Sequence, residues 1–274
     1  MSHLIDVGGY RLDLRVTGQG APAVVCLSSA GGAHEQWAKF VPLVSDATTV
    51  VTYGRAGLAG SDPLPEEQRG PVGGAAPASE LRTLLAAAAI PPPYVLATGS
   101  IGGYIADQYA ALWPGEVAGL VLIDPSMLRE LTGTNDRGDV FDDADDNAGY
   151  VIDRKVVYAE QAARVAANRG GRFVVLSAAV GRWLRNVPRP WHRPLTLAEL
   201  DEQWNVVQGE WAARLQALHL QAADAGHHVH LDAPELVAFV VREVVAAARA
   251  GRPVAFDADA LAAVGGQLRR GETA

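Results

Sequence analysis

A serine between a predicted strand and a predicted helix is the clearest chemical signal in the chain. The apolar run 94–97 leads into Thr98-Gly99-Ser100-Ile101-Gly102-Gly103, and an amphipathic run follows over 104–113. A serine at such a turn projects its hydroxyl outward, provided that the residues two before and two after it are small. Ser100 is therefore a candidate nucleophile. The alternative is a helix-capping serine in an ordinary turn.

The segment departs from the G-x-S-x-G pattern at its first position, where Thr98 replaces glycine. Threonine is small but β-branched, so it crowds the turn without preventing it. The backbone N–H of Ile101 follows the serine at the predicted N-terminus of a helix. It is therefore a candidate donor to an oxyanion that develops during attack.

A serine nucleophile needs a general base, and histidine is the usual one near neutral pH. The chain has seven histidines. His227 stands out because it follows a predicted strand at 218–222 and precedes a predicted helix that opens at Pro234. A loop at the carboxyl end of one parallel strand can reach a serine at the same end of another, so His227 is the candidate base.

The hydrophobic pattern predicts the elements that would position these residues. Apolar and β-branched runs alternate with helix-like periodicity, which indicates the α/β class, with a mostly parallel sheet and helices on both faces. The predicted elements are a hairpin of 4–7 with 11–16, strands at 23–27, 48–53, 94–97, 117–123, 172–177 and 218–222, and helices at 79–89 with Ser79 as N-cap, 102–113, 151–167, 234–250 and within 257–268.

Four segments resemble the α/β-hydrolase superfamily and occur in the order and spacing of that family. They are Tyr53-Gly54-Arg55-Ala56-Gly57 with the residues up to 62, the serine turn 98–103, the strand 117–125 and the histidine segment 226–237. The resemblance covers residues 1 to about 250 except for the segment 126–170, and it implies an α/β-hydrolase fold. The strand–helix rhythm breaks after Pro125 and resumes at 172, so we expect 1–125 and 171–274 to form the core and 126–170 to form a helical cap over the carboxyl edge of the sheet. The order of Ser100 before His227 agrees with this family.

The resemblance places the third member of a catalytic triad after the strand at 172–177, but residues 177–181 contain no carboxylate. Asp124 ends the preceding strand, at the alternative acid position that haloalkane dehalogenases use. We expect Asp124 to orient His227 through the imidazole Nδ1–H. The other interpretation is that Asp124 only caps the turn into Pro125.

The resemblance also implies a second oxyanion donor after the strand at 23–27. Ser28-Ser29-Ala30-Gly31-Gly32 stands where the family has His-Gly-x-Gly, and the backbone N–H of Ala30 is the expected donor beside that of Ile101. Gly54 replaces a usual aspartate of the family. These departures favour either an unusual substrate or a reaction other than hydrolysis.

Ser29, Tyr104 and Trp183 are predicted to line the substrate pocket, beneath the expected cap. The alternative for the two aromatic residues is plain packing in the core or the lid. Three clustered histidines (227, 228 and 230) and an acidic cluster at 136–146 lack the spacing of known metal sites. We therefore expect neither a metal nor a cofactor.

Charge and composition limit the partners. The net charge of −8 disfavours nucleic acid and anionic membranes. No apolar stretch is long enough to span a bilayer and no leader-like segment is evident, so the sequence predicts a cytoplasmic protein without a membrane partner. The single cysteine, Cys26, lies in an apolar run and is read as a buried thiol. A small molecule is the expected substrate, and a homodimer is left open.

Three functional hypotheses follow. The first is a serine hydrolase that cleaves a carboxylic ester, lactone or thioester of a small apolar molecule through an acyl-enzyme. The second keeps the fold but not the hydrolysis, as a cyclase, lyase or acyltransferase. The third is a ligand-binding module without catalysis, which has no need of both Ser100 and His227.

Overall fold

The computed structural model describes residues 2–126, 140–141, 150–185 and 195–269. The strands are β1 Ser2–Asp6, β2 Arg11–Thr17, β3 Ala23–Leu27, β4 Val50–Tyr53, β5 Gly70–Val72, β6 Tyr94–Gly99, β7 Val117–Ile123, β8 Val140–Phe141, β9 Tyr150–Asp153, β10 Phe173–Ser177, β11 Leu218–Ala222 and β12 Gly266–Leu268. The α-helices are α1 Val41–Val44, α2 Ala75–Ala87, α3 Gly102–Leu112, α4 Arg154–Ala163, α5 Leu197–Leu215, α6 Val229–Asp232, α7 Pro234–Arg249 and α8 Ala258–Ala263. The 3₁₀ turns are His34–Trp37, Glu66–Gln68, Pro114–Glu116 and Arg182–Arg185.

Nine strands form the main sheet in the order β1-β2-β4-β3-β6-β7-β10-β11-β12. The six strands from β4 to β11 run parallel, and the pairs at both edges are antiparallel. The predicted α/β class and mostly parallel sheet are confirmed. Leu27 pairs with Thr98, and Gly99 pairs with Ile123. The carboxyl ends of β3, β6 and β7 therefore meet at one edge of the sheet.

Apolar cores lie on both faces of the sheet, because the central strands are buried on both sides. One core includes side chains of α2, α3 and α5, and the other includes those of α1 and α7. Gly119 shows how closely α7 approaches the sheet. A Cβ there would lie 2.3 Å from Val244 Cγ1.

Helix α2 begins earlier than the sequence predicts, and Ser79 as its N-cap is wrong. The helix starts at Ala75, and the Ser79 hydroxyl donates to the Ala75 carbonyl within it at 3.0 Å. Pro77 is tolerated in the first turn, where its missing N–H would have no helical partner. A residue far along the chain caps the start of the helix. Glu160 Oε2 on α4 accepts the backbone N–H groups of Gly74 at 2.7 Å and Ala75 at 3.2 Å.

Two other predicted helices differ from the observed elements, again because of a partner from another part of the chain, in these cases a pairing strand. The predicted helix 151–167 is divided into β9 and α4, since β9 pairs with β5 and β8 in a small second sheet. The predicted helix within 257–268 is divided into α8 and β12, and β12 pairs with β11. Within the predicted cap at 126–170, residues 127–139 and 142–149, which include every carboxylate of the acidic cluster, lie outside the described residues. Among the residues that are described, no helix has both the length and the apolarity needed to cross a membrane.

Candidate active site

Ser100 lies at the tight turn between β6 and α3, with a φ of 51° in the left-handed region. That conformation is strained for a residue with a Cβ, so surrounding packing must hold it. The two neighbouring glycines are required by space. A Cβ at Gly102 would lie 2.7 Å from the Leu27 carbonyl oxygen, and one at Gly99 would lie 2.8 Å from Ser29 Oγ. The turn therefore presents Ser100 at the carboxyl edge of the sheet.

The three candidate triad residues are in contact. His227 Nε2 lies 2.8 Å from Ser100 Oγ, and His227 Nδ1 lies 2.7 Å from Asp124 Oδ2. Asp124 follows β7 with a φ of 42°, and its backbone N–H donates to the Leu176 carbonyl at 2.8 Å. An imidazole with its proton on Nδ1 donates to Asp124 and accepts the serine proton at Nε2.

The loop after β11 carries His227 and is closed on itself. The backbone N–H of Gly226 donates to Asp232 Oδ2 at 2.8 Å, which joins the loop to the end of α6. The imidazole of His227 also packs edge-on against Trp204 of α5, with ring centroids 5.5 Å apart and planes at 89°. These contacts orient the imidazole independently of the serine.

Asp124 is surrounded by donors. Its Oδ1 accepts the backbone N–H of Ala178 at 3.0 Å, and Oδ2 accepts Trp204 Nε1–H at 3.2 Å in addition to His227. Arg182 Nη2 lies 2.9 Å from the same Oδ2. Burial alone would raise the pKa of Asp124, but Arg182, His227 and the Ala178 amide outweigh it and hold the pKa below its ordinary value. The carboxyl group is ionised at neutral pH.

A second hydroxyl lies beside the nucleophile. Ser126 Oγ is 2.9 Å from Ser100 Oγ, and the backbone N–H of Ser126 donates to the Ser100 carbonyl at 3.3 Å. The Ser126 carbonyl accepts Trp211 Nε1–H at 2.7 Å. Tyr104 is fully buried, hydrogen-bonds to Ser126 and packs against Trp211. The predicted pocket residue Tyr104 thus reaches the nucleophile through Ser126.

The segment after β3 is held beside the serine turn. Arg55, buried in the family-like loop, donates to the carbonyls of Ser28 at 2.9 Å and Ser29 at 3.0 Å. Gln36 Oε1 accepts the backbone N–H of Ser29 at 2.9 Å, and Ser29 Oγ lies 3.3 Å from His228 Nδ1. Ala30 follows this clamped segment and is exposed. Ala30 and Ile101 stay the predicted oxyanion donors.

The two histidines that follow His227 differ from it in environment. His230 is fully buried and stacks on Trp37 at 4.8 Å, and burial lowers the pKa of His230 to about 3. Burial also lowers the pKa of His228. Both imidazoles are therefore expected to be neutral at physiological pH.

Sequence reasoning missed three residues that contact the candidate triad: Ser126, Arg182 and Trp204. Trp204 is one of four tryptophans between residues 183 and 211 of the sequence, and this clustering is the signal that could have identified it, whereas no pattern identifies the other two. Trp183, predicted to line the pocket, is partly buried and packs against Trp204, with ring centroids 5.2 Å apart.

Comparison with known proteins agrees with this architecture. The model of the alpha/beta hydrolase family matches residues 24–238. A probable transporter, efuK, of Hormonema carpetanum is 35% identical over 104 residues, 36% of this chain and 15% of that protein. The uncharacterized protein YqjL of Bacillus subtilis (strain 168) is 28% identical over 110 residues, 40% of this chain and 42% of that protein. The chain thus spans less than half of the length of either curated relative.

The fold also resembles a solved structure, that of a thermophilic esterase from Thermogutta terrifontis. The TM-score is 0.59 at 18% identity, and the match covers 90% of this chain and 99% of the esterase. At that identity the likeness concerns the fold alone. Because the family model spans most of the chain, the protein belongs to the alpha/beta hydrolase family.

Proposed function

We propose that the protein is a serine hydrolase that cleaves a carboxylic ester, lactone or thioester of a small, rather apolar molecule. The contact chain from Ser100 Oγ through His227 to Asp124 carries the proposal, with distances of 2.8 and 2.7 Å. Hydrogen-bonded nucleophile, base and orienting acid are the arrangement that activates a serine hydroxyl.

In the proposed mechanism Ser100 Oγ attacks the substrate carbonyl while His227 Nε2 takes the serine proton. Asp124 stabilises the imidazolium that forms and holds the productive tautomer. The backbone N–H groups of Ile101 and Ala30 donate hydrogen bonds to the oxyanion. His227 then protonates the leaving group, and water activated by the same imidazole releases the acyl group from Ser100.

Ser126 supports the same mechanism. If the Ser100 hydroxyl donates to His227 Nε2, the Ser126 hydroxyl is free to donate to Ser100 Oγ at 2.9 Å. The Ser100 oxygen then has a fixed hydrogen-bond environment before substrate arrives. Trp183, which is partly exposed, packs against Trp204 beside His227, so an aromatic surface lies near the triad and favours an apolar substrate.

The experiment is labelling of Ser100 by a fluorophosphonate, read by intact mass, together with turnover of a series of p-nitrophenyl esters. Ser100→Ala is expected to abolish labelling and to lower turnover by at least about 10³-fold. Ser79→Ala is the matched control, because this exposed serine only donates back into α2. Turnover by Ser100→Ala at the wild-type rate would contradict the proposal. Labelling without release of acid would favour the non-hydrolytic alternative.

A further inference from the structure

Arg182 is a buried cation in direct contact with the candidate acid. Its side chain is 5% exposed and that of Asp124 is 1% exposed, and Arg182 Nη2 lies 2.9 Å from Asp124 Oδ2. The contact is an ion pair between two buried side chains, so it acts through charge. A buried guanidinium is costly to desolvate and needs compensation from its surroundings.

The surroundings hold Arg182 in place from three sides. Its guanidinium carbon lies 4.2 Å from the centroid of Trp183 and 4.7 Å from that of Trp204. Asp201 on α5 accepts the backbone N–H groups on either side of the arginine, Gly181 at 2.8 Å and Trp183 at 3.2 Å. The two tryptophan rings and the carboxylate thus fix both the backbone and the guanidinium.

Asp124 Oδ2 therefore contacts one permanent cation and one that forms during the reaction. It contacts Arg182 permanently and His227 at 2.7 Å, where a second positive charge develops whenever the imidazole takes the serine proton. The guanidinium and the imidazole lie within about 6 Å of each other, because both contact one oxygen. At that distance a buried positive charge disfavours a second one appreciably.

We propose that Arg182 is a positioning residue that neutralises much of the Asp124 charge and so keeps His227 in its neutral, basic form to lower pH. The inference rests on the proposed function only in its kinetic readout. Its physical content is that Arg182 changes the pH at which the imidazolium of His227 forms.

Of the other groups near His227, two histidines do not account for such an effect. The titratable and charged groups around it, besides Asp124 and Arg182, are Asp201, His219, His228, His230 and Asp232. Burial lowers the pKa of His219 to about 4 and that of His230 to about 3, so both stay neutral through the region above pH 5. His228 must be separated from His227 by the measurement.

The test compares the pH profile of kcat/KM in wild-type protein, Arg182→Met and Arg182→Lys. The acidic limb is expected to move to higher pH by about one unit in Arg182→Met and to stay near its wild-type position in Arg182→Lys, which keeps the charge. Arg185→Gln is the matched control, since it removes an exposed arginine, paired with Asp224, from the same 3₁₀ turn. Arg182→Gln is a second neutral variant if the methionine does not fold.

NMR titration of assigned imidazole resonances provides a readout that needs no turnover and separates His227 from His228. If wild-type protein neither hydrolyses esters nor labels at Ser100, the proposed function fails, and the NMR titration still tests Arg182. The proposal about Arg182 is overturned if folded neutral variants titrate at the wild-type pH. It is also overturned if Arg182→Lys shifts as far as Arg182→Met.

Discussion

Asp124→Asn is expected to damage both catalysis and stability, for two separate reasons. Asparagine has one amide oxygen and one NH₂ group, whereas both carboxylate oxygens of Asp124 accept from donors. Whichever way the amide is turned, its NH₂ group faces a donor. With the NH₂ group toward His227, the tautomer that accepts the serine proton is disfavoured, and in either orientation the imidazolium loses its negative partner. Turnover is therefore expected to fall, by up to about 10⁴-fold if the precedent of serine proteases applies.

The stability effect comes from Arg182. With both side chains almost fully buried and 2.9 Å between the charged atoms, Asp124→Asn leaves a guanidinium without its principal counter-charge. Removing one partner of a buried ion pair typically costs about 3–5 kcal/mol. The measurement is urea unfolding followed by tryptophan fluorescence, since three of the tryptophans lie near this site.

A double variant separates the two effects. Asp124→Asn combined with Arg182→Met removes the uncompensated charge, so it is expected to be more stable than Asp124→Asn alone by about 2 kcal/mol while turnover stays lost. If the losses in unfolding free energy simply add, the two charges are not coupled and the reasoning fails. Wild-type turnover in Asp124→Asn would remove this residue from the mechanism.

Three further outcomes are expected. His227→Ala should lower ester turnover as far as loss of the nucleophile does, whereas His228→Ala should be milder, because only the former contacts Ser100; steady-state kinetics of the two variants checks this. Glu160→Gln should lower the free energy of unfolding by about 1 kcal/mol, since it removes a charged acceptor from the start of α2, and hydrogen exchange at the amides of residues 74 and 75 should accelerate. Burial raises the pKa of Asp107 to about 6, with Arg214 opposing it. Between about pH 4 and 6 the folded state therefore keeps the Asp107 proton that the unfolded state loses, and the free energy of unfolding falls as pH rises through this range. Asp107→Asn should flatten this part of the curve of unfolding free energy against pH. An unchanged curve would show that Asp107 ionises at its ordinary pH.

The sequence by itself determined most of the main-sheet strands and their largely parallel arrangement. Continuous apolar runs such as 23–27 and 117–123 can only be buried on both faces, which requires a parallel sheet covered by helices. The serine turn is equally local, because the small residues around Ser100 serve a turn whose geometry they alone permit. The sequence also led to Asp124 and His227 as partners of Ser100, and the structure brings all three side chains together.

Only the tertiary structure decided which residues contact partners far away in the sequence. Helix α2 begins at Ala75 rather than Ser79, because a carboxylate some 85 residues later satisfies its first amides. The strands β9 and β12 form because partner strands lie beside them in the fold. The local hydrophobic periodicity of the sequence cannot reveal such a partner. Arg182 is the sharpest case. No pattern in the neighbouring sequence identifies it as functional. The fold buries its guanidinium against Asp124, and charges removed from water interact more strongly with their neighbours.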